Sequence, residues 1–189
     1  MMIVSSPRFS ECDALLEKAR SFDGVLILCG DISECYEIAR IDKEVVGVPS
    51  LLSDTYEVKL FRELGALAMG RWLNVRGWCV GGVDAKNAIQ CIDRLVSTLG
   101  SCAGPRIVVS TQRLGYLDVV GYPSAADICS SLGALAVVVC GQGEGFCLEP
   151  RVTYLDSCAV IEACCRPATI VNLAARGTVV EVGARCLEL

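Results

Sequence analysis

The sequence predicts an α/β fold in which two sheets pack face to face with helices outside, and three observations carry that prediction. The first two thirds of the chain alternate short apolar runs with amphipathic segments, the pattern of strands joined by helical connections. Residues 24–30 are apolar throughout, as expected of a strand covered on both faces. Everything after Arg151 reads as strands and tight turns, an antiparallel tail that completes the sheets.

Taken in order, residues 3–5 form a first strand edge. Ser10, with Asp13 three positions on, then opens a helix whose apolar residues Cys12, Leu15, Leu16, Ala19 and Phe22 share one face. The strand 24–30 leads to a short helix over 33–40 and a strand over 44–48 that Pro49 ends. Residues 54–64 predict a helix buried along Tyr56, Leu60, Phe61 and Leu64. A hairpin over 71–80 follows, and its Arg76-Gly77 turn supplies the positive φ of a tight connection. Asp84 caps a helix over 85–99, residues 106–110 form another buried strand, and Ser124 caps a helix that leads to a strand over 135–140. The tail divides into strands at 152–155, 159–162, 169–173 and 178–182, with Ala174-Ala175-Arg176-Gly177 as the last turn. No internal repeat or low-complexity segment interrupts this order, and the expectation is one domain over residues 1–189.

Composition narrows the function classes. The chain has 189 residues, 53% of them hydrophobic, and a mean hydropathy of +0.50, enough to bury a substantial core. Its apolar runs of roughly 5 to 8 residues fall short of the ~20 that a membrane helix needs, so a soluble protein with no membrane partner is expected. Met1-Met2-Ile3-Val4 enters a strand-like run without a basic region and a cleavage site, so a cytoplasmic location is expected. A net charge of −5 with scattered basic residues argues against nucleic acid.

Thirteen cysteines allow metal binding, redox chemistry or structural disulfides of the kind found inside hyperthermophiles. No Cys-x-x-Cys occurs, and no cysteine is followed by Arg six positions later, which argues against the first two. Cys12, Cys29, Cys79, Cys91, Cys129 and Cys140 sit in apolar strands or helix faces and read as small buried hydrophobes. Cys147, Cys158, Cys164, Cys165 and Cys186 are the better disulfide candidates, with pairing left open.

The chain contains no histidine. Over nearly its whole length its order of elements nevertheless resembles the small archaeal-type calcineurin-like metallophosphoesterases. Members carry Asp-x-His after the first strand, Gly-Asp after the second, Gly-Asn-His/Asp after a third, His after a fourth and Gly-His-x-His after a fifth. Here the first strand runs into Ser5-Ser6-Pro7-Arg8, so Ser6 and Arg8 stand for Asp and His. Gly30-Asp31 matches the second motif. The third falls at Ser50-Leu51-Leu52-Ser53 or, in a rival alignment, at Gly81-Gly82-Val83-Asp84. Thr111 of Val109-Ser110-Thr111 replaces the fourth histidine, and Gln142 and Glu144 replace both histidines of the last motif. The resemblance implies a four-layer α-β-β-α sandwich of two mixed sheets, with Asp31 as the one matching metal ligand.

A two-metal phosphoesterase needs several imidazoles and carboxylates to hold cations ~4 Å apart, and the matching positions here retain one carboxylate. The leading reading is therefore a degenerate, catalytically silent member that acts as a binding or assembly module. Its pocket of Arg8, Asp31, Ser110, Thr111, Gln142 and Glu144 would take a phosphate-bearing or other anionic small molecule without a cofactor. A homo-oligomer is compatible with it. A second reading is a divergent phosphoesterase that uses Asp31 and Glu144, with Asp84, around a single Mn²⁺ or Mg²⁺ ion. A third is a structural subunit stapled by disulfides. Structural alternatives stay open: Asp31 as the cap of the helix at Ser33, Arg8 as its ion-pair partner in place of a metal, and Gly141-x-Gly143-x-Gly145 as a plain turn.

Overall fold

The computed structural model describes residues 1–5, 11–32, 35–50, 53–84, 87–111, 123–140, 149–156, 158–166, 168–176 and 179–187. A first sheet contains β1 (Met2–Ser5), β2 (Val25–Cys29) and β3 (Val45–Val48), which run parallel. A second contains β4 (Trp72–Val75), β5 (Trp78–Val83), β6 (Arg106–Ser110), β7 (Ala136–Cys140), β8 (Arg151–Leu155) and β9 (Cys158–Ala163), in the order β4-β5-β6-β7-β9-β8. Its inner four strands are parallel and its two edge strands antiparallel. The chain then returns through β10 (Thr169–Arg176) and β11 (Val179–Cys186), which complete the first sheet in the order β11-β10-β1-β2-β3. Both sheets are thus mixed. Helices α1 (Cys12–Ser21) and α2 (Thr55–Glu63) pack outside the first sheet, and α3 (Ala88–Ser97) and α4 (Ala125–Leu132) outside the second.

The uninterrupted apolar strands serve two interfaces at once, because successive side chains point to opposite faces. In β2, Val25, Ile27 and Cys29 enter the core between the sheets, while Leu26 and Leu28 pack with Leu15, Leu60 and Phe61 of the helices. In β7, Ala136, Val138 and Cys140 point inward, and Val137 and Val139 meet Leu95, Ile128 and Leu132. Four layers, helix on sheet on sheet on helix, result.

The sandwich is sewn along one side. Gly47 N donates to Ala66 O (2.8 Å) and Ala68 N to Gly47 O (3.0 Å), while Gly82 N donates to Ala68 O (3.0 Å) and Gly70 N to Gly82 O (2.9 Å). Residues 66–70 therefore bridge β3 of one sheet to β5 of the other. The opposite side carries the edge strands β8 and β11.

Turn and cap chemistry behaves as the sequence predicts at two places. Arg76 (φ 49°) and Gly77 (φ 80°) form the β4–β5 turn, and Ser124 with Asp127 forms a reciprocal capping box on α4. Elsewhere the expectations need correction. Glu57, not Tyr56, joins Leu60 and Phe61 on the buried face of α2. Tyr56 lies 46% exposed, edge-on to Tyr36, and Leu64, past the helix end, is exposed as well. Residues 174–176, expected in a turn, extend β10 and pair with residues 179–181 of β11. The residue before α1 is Glu11, which makes no side-chain cap bond; Ser10 lies outside the described residues.

The cysteines differ most. Cys12, Cys29, Cys79, Cys129 and Cys140 are not free hydrophobes but halves of disulfides: Cys12–Cys35, Cys29–Cys140, Cys79–Cys102 and Cys129–Cys158. Cys165–Cys186 makes a fifth, and Cys164 is disulfide-bonded too. Cys91 alone among the described cysteines is a free buried thiol. The late candidates Cys158, Cys164, Cys165 and Cys186 are thus paired, and Cys147 lies outside the described residues.

Candidate functional site

In a sheet with parallel strands the carboxyl ends gather loops and form the natural crevice. Here the last residues of β2 and β7, Cys29 and Cys140, are joined by a disulfide with Cα atoms 6.2 Å apart. The covalent bond brings the carboxyl ends of two inner strands, one from each sheet, to the same end of the sandwich. Immediately beyond it Gly30, at φ 98°, turns the chain into Asp31.

The first wall is built around Glu57. Asp54 caps α2 by accepting from Glu57 N (2.7 Å), which aims the Glu57 side chain toward the loop after β2. There its carboxyl accepts from Ile32 N (3.2 Å) and lies 2.9 Å from Ser53 Oγ, within hydrogen-bond distance. Ser53 Oγ also donates to Gly30 O (3.0 Å) and accepts from Ser50 N (2.8 Å). Burial pushes the Glu57 carboxyl up to about 7, against the hydrogen bonds from Ser53 and Ile32, and the nearby charges of Asp31 and Asp54 push the same way. On the rim Tyr36 donates to Asp54 Oδ2 (2.7 Å), a bond that pushes the Tyr36 phenol up to about 12. Arg40 Nη2 donates to the Tyr56 hydroxyl (2.9 Å).

The second wall stands at the ends of β5 and β6. Asp84, 3% exposed, accepts from Asn87 N (2.9 Å), and Cys91 Sγ lies 3.7 Å from its other oxygen. It was expected to cap α3, but the helix starts at Ala88 behind Asn87, which makes no side-chain cap bond. Burial pushes the Cys91 thiol up, away from the reactive thiolate. Beside Asp84, Thr111 N donates to Val83 O (3.1 Å). Ser110 and Thr111 are buried, and Thr111 Oγ1 finds no hydrogen-bond partner among the described residues.

Of the residues expected in the pocket, Asp31 thus gathers with Glu57 and Asp54, while Ser110 and Thr111 gather with Asp84. Arg8, Gln142 and Glu144 lie outside the described residues, as do Ser6 and Ser33. Glu57 was not expected. Its signal was an acid three and four positions ahead of Leu60 and Phe61, on the apolar stripe, but an Asp54-x-x-Glu57 spacing reads as an ordinary capping box. The Glu57 carboxyl instead crosses to a different loop.

The donor set among the described residues does not fit a two-metal centre. The chain has no imidazole to offer, and no three His, Cys, Asp or Glu side chains among the described residues converge as ligands. Both Glu57 oxygens are engaged by protein groups, Ile32 N and Ser53 Oγ.

No family model matches the sequence, and no curated protein matches it. Among solved structures, the crystal structure of TT1561 from Thermus thermophilus superposes with a TM-score of 0.63 at 17% identity, over 96% of this chain and 97% of that one. That likeness shows the fold, a two-sheet α/β sandwich followed along nearly the whole of both chains. Among the described residues no helix is long and apolar enough to cross a membrane.

Proposed function

We propose that the chain is a degenerate, catalytically silent relative of the calcineurin-like metallophosphoesterases that binds a phosphate-bearing or other anionic small molecule at its strand ends. The observation that carries this reading is the Thr111 hydroxyl, buried and without a partner among the described residues where the resemblance expects a metal-binding histidine. Such an orphaned group costs about 1–3 kcal/mol, and a ligand oxygen recovers that cost. Ser110 beside it adds a second hydroxyl. The absence of histidine from the whole chain argues against the two-metal mechanism.

Calorimetric titration with inorganic phosphate tests the reading. Phosphate is expected to bind, and Thr111→Val to weaken binding about tenfold while leaving the unliganded protein at least as stable, since an unpaired buried hydroxyl is removed. Failure of phosphate and of a nucleoside monophosphate to bind would sink it. Mn²⁺-dependent hydrolysis of bis-p-nitrophenyl phosphate, lost in Asp31→Asn, would replace it with the single-metal phosphoesterase reading.

The disulfides support the structural-subunit reading alongside this one. Five described bridges suit an oxidising compartment or the disulfide-rich interior of a hyperthermophile rather than an ordinary cytoplasm.

A further inference from the structure

Sheet edges present rows of unpaired backbone donors and acceptors, and proteins blunt them with short strands, Lys, Pro, bulges or coverage. Three of the four edges here are treated in that way. β3 is covered by residues 66–68, β4 has four residues, and β8 has five, beginning with Arg151. β11 differs. It has eight residues without Lys or Pro, its register with β10 runs unbroken from Thr169↔Cys186 to Arg176↔Val179, and no described strand pairs with its outer side.

The backbone phase of that edge is set by Leu187 N, which donates to Ala168 O (3.0 Å). In an antiparallel ladder hydrogen-bonded pairs alternate with non-hydrogen-bonded ones. Val179, Glu181, Gly183 and Arg185 therefore direct their backbone groups to β10, and those of Val180, Val182 and Ala184 point outward. The side chains of Glu181 and Arg185 are exposed on the outer face of the sheet, two residues either side of Gly183.

We propose that two copies of this chain join β11 to β11, antiparallel, about a two-fold axis at Gly183, making one continuous ten-stranded sheet. In that register Val182 and Ala184 exchange backbone hydrogen bonds with the second copy's Ala184 and Val182. Glu181 of each copy stands opposite Arg185 of the other, so the same opposite-charge pair forms twice. Shifting the centre by one residue in the hydrogen-bonding phase, to Val182, sets Glu181 against Gly183 and loses both pairs. β8 offers no such match, because centring it on Thr153 sets Arg151 against Leu155. Within one copy Glu181 also lies 3.4 Å from Arg176, but both side chains are well exposed, and such a pair is weak enough to share. The Cys165–Cys186 bridge holds one end of the strand in place before pairing. This inference is independent of what binds at the strand ends.

Sedimentation velocity from low to high micromolar concentration tests it. The wild-type chain is expected to pass from its 20.1 kDa monomer to a species of twice that mass. Glu181→Arg and Arg185→Glu are each expected to weaken the dimer by about tenfold or more through twofold like-charge contact, and the double reversal to restore it. Val182→Pro removes an outward N–H without removing a β10 ladder bond and is expected to give a monomer that still folds, with some stability lost because Val182 packs on the core between the sheets. A monomer at every concentration, or a dimer indifferent to all four variants, would overturn the proposal.

Discussion

Ser53 has one hydroxyl proton, yet its oxygen lies within hydrogen-bond distance of both Gly30 O and the Glu57 carboxyl while already accepting from Ser50 N. If Glu57 is neutral the set closes: its own proton goes to Ser53 Oγ, Ser53 donates to Gly30 O, and Ile32 N donates to the other Glu57 oxygen. The donor count and the upward shift to about 7 therefore point the same way. An acid with a folded pKa near 7 and an ordinary value of 4.5 stays protonated when folded at pH values where it ionises when unfolded. Its stabilising contribution is complete below about 4.5 and is lost as pH rises toward 7. Stability measured by urea unfolding is thus expected to fall across that window by on the order of 2 kcal/mol, and Glu57→Gln, which keeps the neutral carboxamide in place, to flatten the profile. A profile unchanged by Glu57→Gln would mean that Glu57 is ionised throughout. The family resemblance pointed to Asp31, Ser110 and Thr111, and apolar runs placed the strand ends that carry them. Glu57 stayed hidden because whether an N-terminal helix acid caps its own helix or reaches another loop depends on tertiary approach.

At the scale of elements, local chemistry explains what could be read in advance. The Arg76-Gly77 turn and the Ser124–Asp127 box are defined by neighbours within four residues, and both formed as expected. Ser124→Ala is accordingly expected to cost about 1 kcal/mol in thermal or urea unfolding. Packing between elements is less legible. Gly47 looks like an interruption in β3, but a Cβ there would fall within the ring of Phe61 on α2, so the glycine sets how closely helix and strand approach. Gly47→Ala is expected to cost about 1–3 kcal/mol through displacement of Phe61 or the strand, which the same unfolding assay reads. The β10–β11 hairpin was placed too early for a related reason. Ala174, Ala175 and Arg176 are exposed, so no inward alternation marks them as strand, and only the ladder to residues 179–181 does.

For the whole molecule, the five described disulfides are spread through the layers. Cys12–Cys35 holds the start of α1, Cys79–Cys102 and Cys129–Cys158 tie the outer layer of α3 and α4 to β5 and β9, and Cys165–Cys186 fastens the end of β11. Only Cys29–Cys140 crosses between the sheets. A buried cysteine in an apolar strand has the same sequence surroundings whether paired or not, so the distinction depends on a partner that topology brings near. Peptide mapping of the denatured but unreduced protein is expected to find Cys91 alkylated and the ten cysteines of these bridges protected until a reductant is added. The loop lengths then order the energies. Four bridges span 21 to 29 residues and Cys29–Cys140 spans 111, and restriction of the unfolded chain grows with the logarithm of that length, from roughly 3 kcal/mol for short loops to about 4–5 kcal/mol for ~100 residues. Replacing Cys29 and Cys140 together by Ala is therefore expected to destabilise more than replacing Cys165 and Cys186, by about 1.5 kcal/mol from the chain term and further from the voids left in the core between the sheets. Equal losses at the two sites would show that the bridges act through native packing instead of through the unfolded chain, and the sheets would then be held together by their apolar core with the covalent link adding little.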